Sequence, residues 1–111
     1  MQVELDIMSG RPNPVWDLTP AQADELGDIV ETLPTGTGTP PPDPGLGYRG
    51  FVVTDKARPS WRLGVFKGFV RISGGGPTEI RNDRDRRLER WLLDSAGTLL
   101  GDQIRRRVPL E

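Results

Sequence analysis

Two prolines separated by a single residue, Pro12 and Pro14, most strongly limit how this chain can fold. Each proline fixes its own φ at about −65° and pushes the residue before it toward an extended conformation. They lie in the segment Ser9-Gly10-Arg11-Pro12-Asn13-Pro14-Val15-Trp16, which we call the Pro box. Because few conformations are open to it, the Pro box is expected to hold one fixed shape.

The residues on either side of the Pro box predict a strand and a helix. The apolar residues of segment 3–7 occur at every second position, which indicates a half-buried strand. After the Pro box, Thr19-Pro20-Ala21-Gln22 combines an N-cap residue, a proline at the first helical position and a glutamine at the third. We therefore expect a helix that begins there and ends before Pro34.

Later apolar runs predict further strands and a second helix. Alternating patterns occur at residues 51–53, 61–65 and 69–72, and residues 78–81 form a candidate edge strand. The dipeptide Lys67-Gly68 joins two of these runs as a tight hairpin. Asn82 or Asp83 is expected to cap the second helix, whose apolar face begins at Leu88.

This order of elements, β-α-β-β-β-(β)-α, predicts an α+β fold. We expect a two-layer sandwich with a mostly antiparallel sheet of four or five strands and two helices on one face. Residues 1–109 are interpreted as a single domain with an exposed internal loop, rich in Pro and Gly, over residues 34–47. Residues 110–111 are interpreted as a candidate cloning remnant.

The composition excludes several kinds of chemistry. The chain has no Cys and no His, which removes disulfides, thiolate nucleophiles, histidine general bases and the usual zinc or copper sites. We therefore expect no metal and no cofactor. A net charge of −1 disfavours nucleic acid as a partner. Since no apolar run reaches the ~18 residues of a membrane span and the first residues lack the basic start of a signal peptide, we expect a cytoplasmic protein with no membrane partner.

The Pro box is the first candidate site. It precedes a helix N-terminus, where free N–H groups favour an anion, and Arg11 offers a planar fork of donors there. Asn13 adds an amide that can donate and accept. The sequence leaves a second interpretation open, in which the box is a structural connector and Trp16 anchors it in the core.

The second candidate site is the segment Gly47-Tyr48-Arg49-Gly50. Tyr48 and Arg49 emerge between glycines at a junction of loop and strand, where they could stack on a ligand or hydrogen-bond to it. Alternatively, the glycines allow a close backbone approach and Tyr48 belongs to the core. The predicted binding residues are thus Arg11, Asn13, Tyr48 and Arg49, and the predicted structural anchor is Trp16.

Three segments together resemble a known family. They are the Pro box, Leu46-Gly47-Tyr48-Arg49-Gly50-Phe51 and Leu88-Glu89-Arg90-Trp91-Leu92-Leu93. The chain resembles a family of small uncharacterised bacterial proteins in which a strand is followed by an SGRPNPxW box. The resemblance covers most of the chain outside the loop rich in Pro and Gly. Because that family has no assigned activity, the resemblance implies a bacterial, intracellular setting and no residue roles.

Three functional hypotheses follow from these residues. The leading one is a small non-catalytic binding or accessory domain that contacts a polar or anionic ligand, or a partner protein, through the Pro box. The second is a small carboxylate-dependent enzyme acting at the same place. The third is a structural interaction module that uses a sheet edge and the loop rich in Pro and Gly.

The two roles assigned within the Pro box predict different mutational effects. Trp16→Ala should lower the free energy of unfolding by about 3–5 kcal/mol, because it truncates a core side chain. Arg11→Ala should lower it by less than about 1 kcal/mol. Thermal or denaturant unfolding of both variants measures the difference, and a stable Trp16→Ala protein would refute the anchoring role.

Overall fold

The computed structural model describes residues 1–8, 10–36, 39–42, 45 and 47–110. Ser9 of the Pro box and Glu111 therefore lie outside the described residues, as do residues 37, 38, 43, 44 and 46 of the predicted loop. None of the helices in the described ranges is long and apolar enough to cross a membrane.

The centre of the fold is a six-stranded sheet in which every neighbouring pair is antiparallel. Its strands are β1 (Gln2–Leu5), β2 (Val15–Asp17), β3 (Phe51–Asp55), β4 (Arg58–Phe66), β5 (Phe69–Ser73) and β6 (Glu79–Asn82). Their order across the sheet is β2-β1-β3-β4-β5-β6. The predicted mixed α+β class with an antiparallel sheet is confirmed.

The predicted strand count and order are wrong in one respect, which the Pro box explains. We predicted four or five strands with a single strand before the first helix, whereas the described residues form six strands, two of them before that helix. The Pro box reverses the chain so that Val15–Asp17 pairs with β1, with Trp16 opposite Val3. The amide of Leu5 donates to the Pro14 carbonyl at 3.0 Å and extends this pairing. Three residues are too few to show an alternating pattern.

The first helix, α1, spans Pro20–Thr32 and begins as predicted. The Thr19 side chain accepts a hydrogen bond from the Gln22 amide, and the Gln22 side chain accepts one from the Thr19 amide. Both halves of the capping box are therefore present, which satisfies two backbone donors at the helix start.

The second helix, α2, spans Arg87–Ser95 and follows a short 3₁₀ turn. The buried Asp83 carboxylate accepts hydrogen bonds from the amides of Leu88 at 2.8 Å and Glu89 at 3.0 Å. Asp83 therefore caps α2 from across the 3₁₀ turn. A one-turn helix, α3 (Asp102–Arg105), follows near the end of the chain.

One hydrophobic core lies between the sheet and the two longer helices. Strand side chains alternate between faces, so every second residue of the central strands points inward. The inward residues and the buried helix residues belong to one cluster. This cluster includes Val3, Leu5, Trp16, Leu26, Ile29, Phe51, Val53, Leu63, Val65, Val70, Leu88 and Leu92.

The hairpin between β4 and β5 has the predicted tight turn. Lys67 and Gly68 both have positive φ, of 48° and 80°, which matches the twist of the flanking strands. The register pairs Phe66 with Phe69 at the end of the hairpin.

A close backbone approach at Gly50 gives a test of the fold. Gly50 has φ of +99°, and a Cβ added there would overlap the Val65 carbonyl oxygen. Gly50→Ala should therefore lower the free energy of unfolding by roughly 3 kcal/mol or more, from backbone strain and from overlap.

Gly47→Ala is the matched control for Gly50→Ala. Gly47 also has positive φ, of +92°, but a Cβ there meets nothing within 4 Å. It should cost only the backbone strain, roughly 1–2 kcal/mol. Equal losses for the two variants in denaturant unfolding would contradict the close approach.

Candidate functional site

Asn13 uses its side chain to hold the Pro box against β1. Its Oδ1 accepts hydrogen bonds from the amides of Ile7 at 3.1 Å and Met8 at 2.8 Å. Its Nδ2 donates to Glu4 Oε2 at 2.8 Å. The amide that the sequence offered as a ligand contact is thus engaged within the protein on both its oxygen and its nitrogen.

Asp6 joins the Pro box to the segment that begins at Gly47. The Arg49 guanidinium donates to Asp6 Oδ1 from Nη2 at 2.9 Å and from Nε at 3.1 Å. The same carboxylate oxygen accepts a longer hydrogen bond, of 3.4 Å, from Asn13 Nδ2. The two segments that the sequence singled out separately therefore converge in space.

Arg49 is also fixed by backbone carbonyls on both sides. Its Nη1 donates to the Gly45 carbonyl at 2.7 Å, and its Nη2 donates to the Met8 carbonyl at 3.2 Å. The Arg49 backbone amide donates to the Asp6 carbonyl at 2.7 Å. This many bonds hold the guanidinium in one position.

Arg11 and Trp16, at opposite ends of the Pro box, have different environments. Arg11 is exposed and makes no hydrogen bond or ion pair with a described residue. Trp16 is 8% exposed, and its indole N–H donates to Ser95 Oγ on α2 at 2.9 Å. Its ring also meets Phe51 edge to face, with centroids 6.4 Å apart. The structure thus places Trp16 in the core and Arg11 in solvent.

Tyr48 lies in the core, where its hydroxyl donates to a buried carboxylate. It is 7% exposed, and its O–H lies 2.5 Å from Glu89 Oε2. Its ring packs against Phe51 and Phe66, with centroids 6.0 and 5.6 Å away. Tyr48 is therefore a core residue, next in the chain to Arg49.

Glu89 has no exposed surface and accepts hydrogen bonds from three parts of the chain. Besides the Tyr48 hydroxyl, these come from the Gly68 amide at 2.8 Å and from Arg86, whose Nε and Nη2 lie 3.1 and 2.8 Å away. Burial alone would raise the pKa of Glu89, but the bonds from Arg86, Tyr48 and Gly68 hold that pKa below its ordinary value. Glu89 is therefore a buried, charged and paired carboxylate.

A cavity of about 270 Å³ lies on the face of the sheet opposite the core, and we call it the outer-face groove. Outward-pointing residues of β3, β4 and β5 form most of its lining, together with Arg49 and two prolines of the connection between α1 and β3, and the core residues Phe51 and Val65 also border it. The lining of the groove includes Pro40, Pro41, Arg49, Val52, Arg62, Gly64, Phe66, Phe69, Arg71 and Ser73.

The α1–β3 connection reaches this groove from the β6 edge of the sheet. The Asn82 amide donates to the Pro34 carbonyl at 3.0 Å, and the Gly36 amide donates to the Ile80 carbonyl at 2.7 Å. Residues 34–36 therefore run beside β6, and Pro40 and Pro41 lie farther along the chain at the groove. Proline carries no N–H, so neither residue needs a partner for an amide donor there.

All charged residues among the described groove-lining positions are arginines. Arg62 and Arg71 are exposed and make no hydrogen bond or ion pair with any described residue. Arg71 lies over the Phe69 ring, with its Cζ 5.9 Å from the centroid. The groove therefore combines an apolar lining with positive charge. Within the described ranges, no group of three or more acidic side chains could hold a metal ion.

Of the four binding residues predicted from the sequence, Arg49 alone lines this groove. Arg62, Gly64 and Arg71 were not among the predicted sites, although a signal for them was present. They occupy the polar positions in the alternating patterns of β4 and β5, and so point away from the core. The missing information was that the α1–β3 connection reaches that face.

No protein-family model, curated protein or solved structure matches this chain.

The single tyrosine of the chain allows a direct test of the buried network. Burial, and then the charge of Glu89, raise the pKa of Tyr48 well above the ordinary 10.0. Above about pH 10 the unfolded chain loses this proton while the folded protein keeps it, so stability should fall as pH rises. In an ultraviolet titration, tyrosinate absorbance should appear only when the protein unfolds.

Tyr48→Phe provides the control for this titration. At neutral pH it should lower the free energy of unfolding by about 1–3 kcal/mol, because Glu89 loses a donor. The gap between the variant and the parent protein should narrow above about pH 10, since phenylalanine does not titrate. Tyrosinate absorbance near pH 10 in protein that is still folded would contradict the buried network.

Proposed function

We propose that this protein is a small non-catalytic binding domain for an anionic ligand, and that the outer-face groove is its binding site. The observation that carries the proposal is the pair of arginines, Arg62 and Arg71, beside an apolar cavity with no acidic side chain among its described lining residues. Guanidinium groups present planar forks that match carboxylate and phosphate oxygens. Apolar walls with a few convergent polar groups are typical of small-molecule sites.

Arg49 supports this proposal in a different way from the other two arginines. Its guanidinium is held by Asp6 and by two backbone carbonyls, so its position does not depend on a ligand. It is part of the groove lining, and it ties the groove to the Pro box through Asp6 and Asn13. In this proposal the Pro box supports the binding site. The alternative is that the ligand binds at the Pro box itself, where Arg11 is exposed.

The volume of the groove suits a small molecule rather than a peptide. A cavity of about 270 Å³ is slightly smaller than the range of roughly 300–1,000 Å³ found for ligand pockets. A large exposed apolar patch would instead indicate a macromolecular partner. The exposed large apolar side chains among the described residues are Val15 and Leu99, which are 45% and 59% exposed and belong to different elements.

The enzyme hypothesis has less support in the groove. A carboxylate-dependent reaction needs a carboxylate facing the bound molecule. Asp6, the acid that contacts Arg49, already accepts three hydrogen bonds from Arg49 and Asn13. The described lining of the groove supplies cations for binding and apolar surface for burial, which is what a binding domain requires.

Arginine substitutions test the location of the binding site. The probes are inorganic phosphate, succinate and phenyl phosphate, titrated into isotope-labelled protein and followed by NMR amide shifts and calorimetry. Arg62→Ala and Arg71→Ala should each weaken binding about tenfold or more, because each removes a charge-assisted hydrogen bond. Neither change should alter the thermal midpoint by more than a few degrees, since both side chains are exposed, neither makes a hydrogen bond or ion pair with a described residue, and Arg71 loses only its contact with the Phe69 ring.

Arg11→Ala is the matched control, because it removes the same charge from an equally unpaired, exposed position in the Pro box. It should leave the affinity of the three probes unchanged. If Arg11→Ala weakened binding and the two groove variants did not, the site would lie at the Pro box. If none of the three anions shifted the groove amides, the proposed binding function would be wrong.

A further inference from the structure

The glycine at position 64 has no explanation within the fold. Gly64 lies inside the nine-residue strand β4, and its register with Val52 and Arg71 is regular. It does not have positive φ, and a Cβ added to it would meet nothing within 4 Å. A glycine inside a strand weakens that strand, and it often marks a place where a ligand or another backbone comes close. No described backbone comes within 4 Å of a Cβ at this position, so the space above the strand is open to a ligand.

Gly64 gives the groove a flat floor. It lies between Val52 and Arg71 in a row across three strands, and the missing side chain leaves the peptide planes of β4 open to the cavity. Pro40 and Pro41 of the α1–β3 connection line the same cavity. The space between the two prolines and β4 is therefore a slot with apolar surfaces.

Arg62 and Arg71 lie beside Gly64 in positions from which both can bind one anionic group. Arg62 on β4 is opposite Ser73, and Arg71 on β5 is opposite Gly64, so the arginines are diagonal neighbours across the two strands. Such neighbours are roughly 7–8 Å apart at the backbone, a distance that two arginine side chains easily span. Both guanidinium forks can therefore reach a single phosphate or carboxylate.

The aromatic rings of the groove favour a planar occupant. Phe66 and Phe69 pair at the end of the hairpin and line the cavity. Aromatic rings prefer offset or edge-to-face contact with another ring, and each such contact is worth about 0.5–1.5 kcal/mol beyond the area that it buries. A cavity of roughly 150 Å³ is enough to hold benzene, so about 270 Å³ has room for one ring with a charged substituent.

We infer that the ligand of the outer-face groove is a single planar aromatic ring that bears a phosphate or carboxylate group. The ring lies over the backbone at Gly64, and the oxyanion lies between Arg62 and Arg71. This inference deepens the proposed binding function and rests on it.

The first experiment compares ligands that differ only in the ring. Phenyl phosphate, cyclohexyl phosphate and inorganic phosphate are titrated by calorimetry, and benzoate against cyclohexanecarboxylate repeats the comparison with a carboxylate. Each aromatic probe should bind about tenfold more tightly than its saturated counterpart. The Gly64 amide should shift most for the aromatic probes.

The outcomes of this comparison separate the inference from the proposed function. Equal affinities for the aromatic and saturated probes would overturn the planar ring and leave the groove as an anion site. Binding of none of the probes at the groove amides would overturn both. If one aromatic probe alone bound, its charged group would identify phosphate or carboxylate as the anion.

The second experiment fills the slot. Gly64→Val should leave the thermal midpoint equal or higher, because a β-branched residue suits a strand and its Cβ has space. It should weaken phenyl phosphate binding at least about tenfold, because the ring then meets the new side chain. Val15→Ile, which enlarges an exposed position on β2 outside the groove, is the control and should change neither quantity.

Unchanged phenyl phosphate affinity in a folded Gly64→Val protein would overturn the assigned position of the ring. If Gly64→Val lowered the thermal midpoint strongly, the glycine would have a role in the fold, and that result would also count against the inference. Gly64→Ala, the smaller change, should give an intermediate affinity, and a loss of stability in that variant too would confirm a fold role instead.

Discussion

The buried carboxylate of Glu89 is the interaction on which the rest of the structure depends. It lies on α2 and accepts hydrogen bonds from Tyr48 before β3, from Gly68 in the β4–β5 hairpin and from Arg86 before α2. Removing one partner of a buried ion pair costs about 3–5 kcal/mol, because a charge is left uncompensated. The carboxylate therefore fixes the helix, the hairpin and the end of the α1–β3 connection relative to one another. Arg49, the residue after Tyr48, is brought to Asp6 by the same arrangement.

Local sequence chemistry was enough to predict most of the regular elements. The capping box at Thr19, the tight turn at Lys67-Gly68 and the cap at Asp83 all depend on contacts within a few residues. Strand β2 could not be predicted, because its three residues form a strand only when the Pro box brings them back to β1. Glu89 lies in a run of charged residues that is typical of a solvated helix face, and only tertiary packing buries it.

The candidate site shows the same division between local and long-range information. The alternating pattern of β4 and β5 predicts which residues point away from the core, and so places Arg62, Gly64 and Arg71 on one face. A period of two contains no information about what covers that face. The position of Pro40 and Pro41 depends on the path of the α1–β3 connection, which has no periodic pattern. That position decides whether this face of the sheet is simply exposed or forms a groove.

The pairing of residues 34–36 with β6 has a consequence for how molecules of this protein meet one another. An uncovered outer strand presents a row of free N–H and C=O groups to which the strand of a second molecule can add, and such addition leads to aggregation. Here the Asn82 amide and the Ile80 carbonyl are already bonded to Pro34 and Gly36. The opposite outer strand, β2, has only three residues. One outer strand is thus occupied and the other is very short, so the sheet offers little to a second molecule that would extend it.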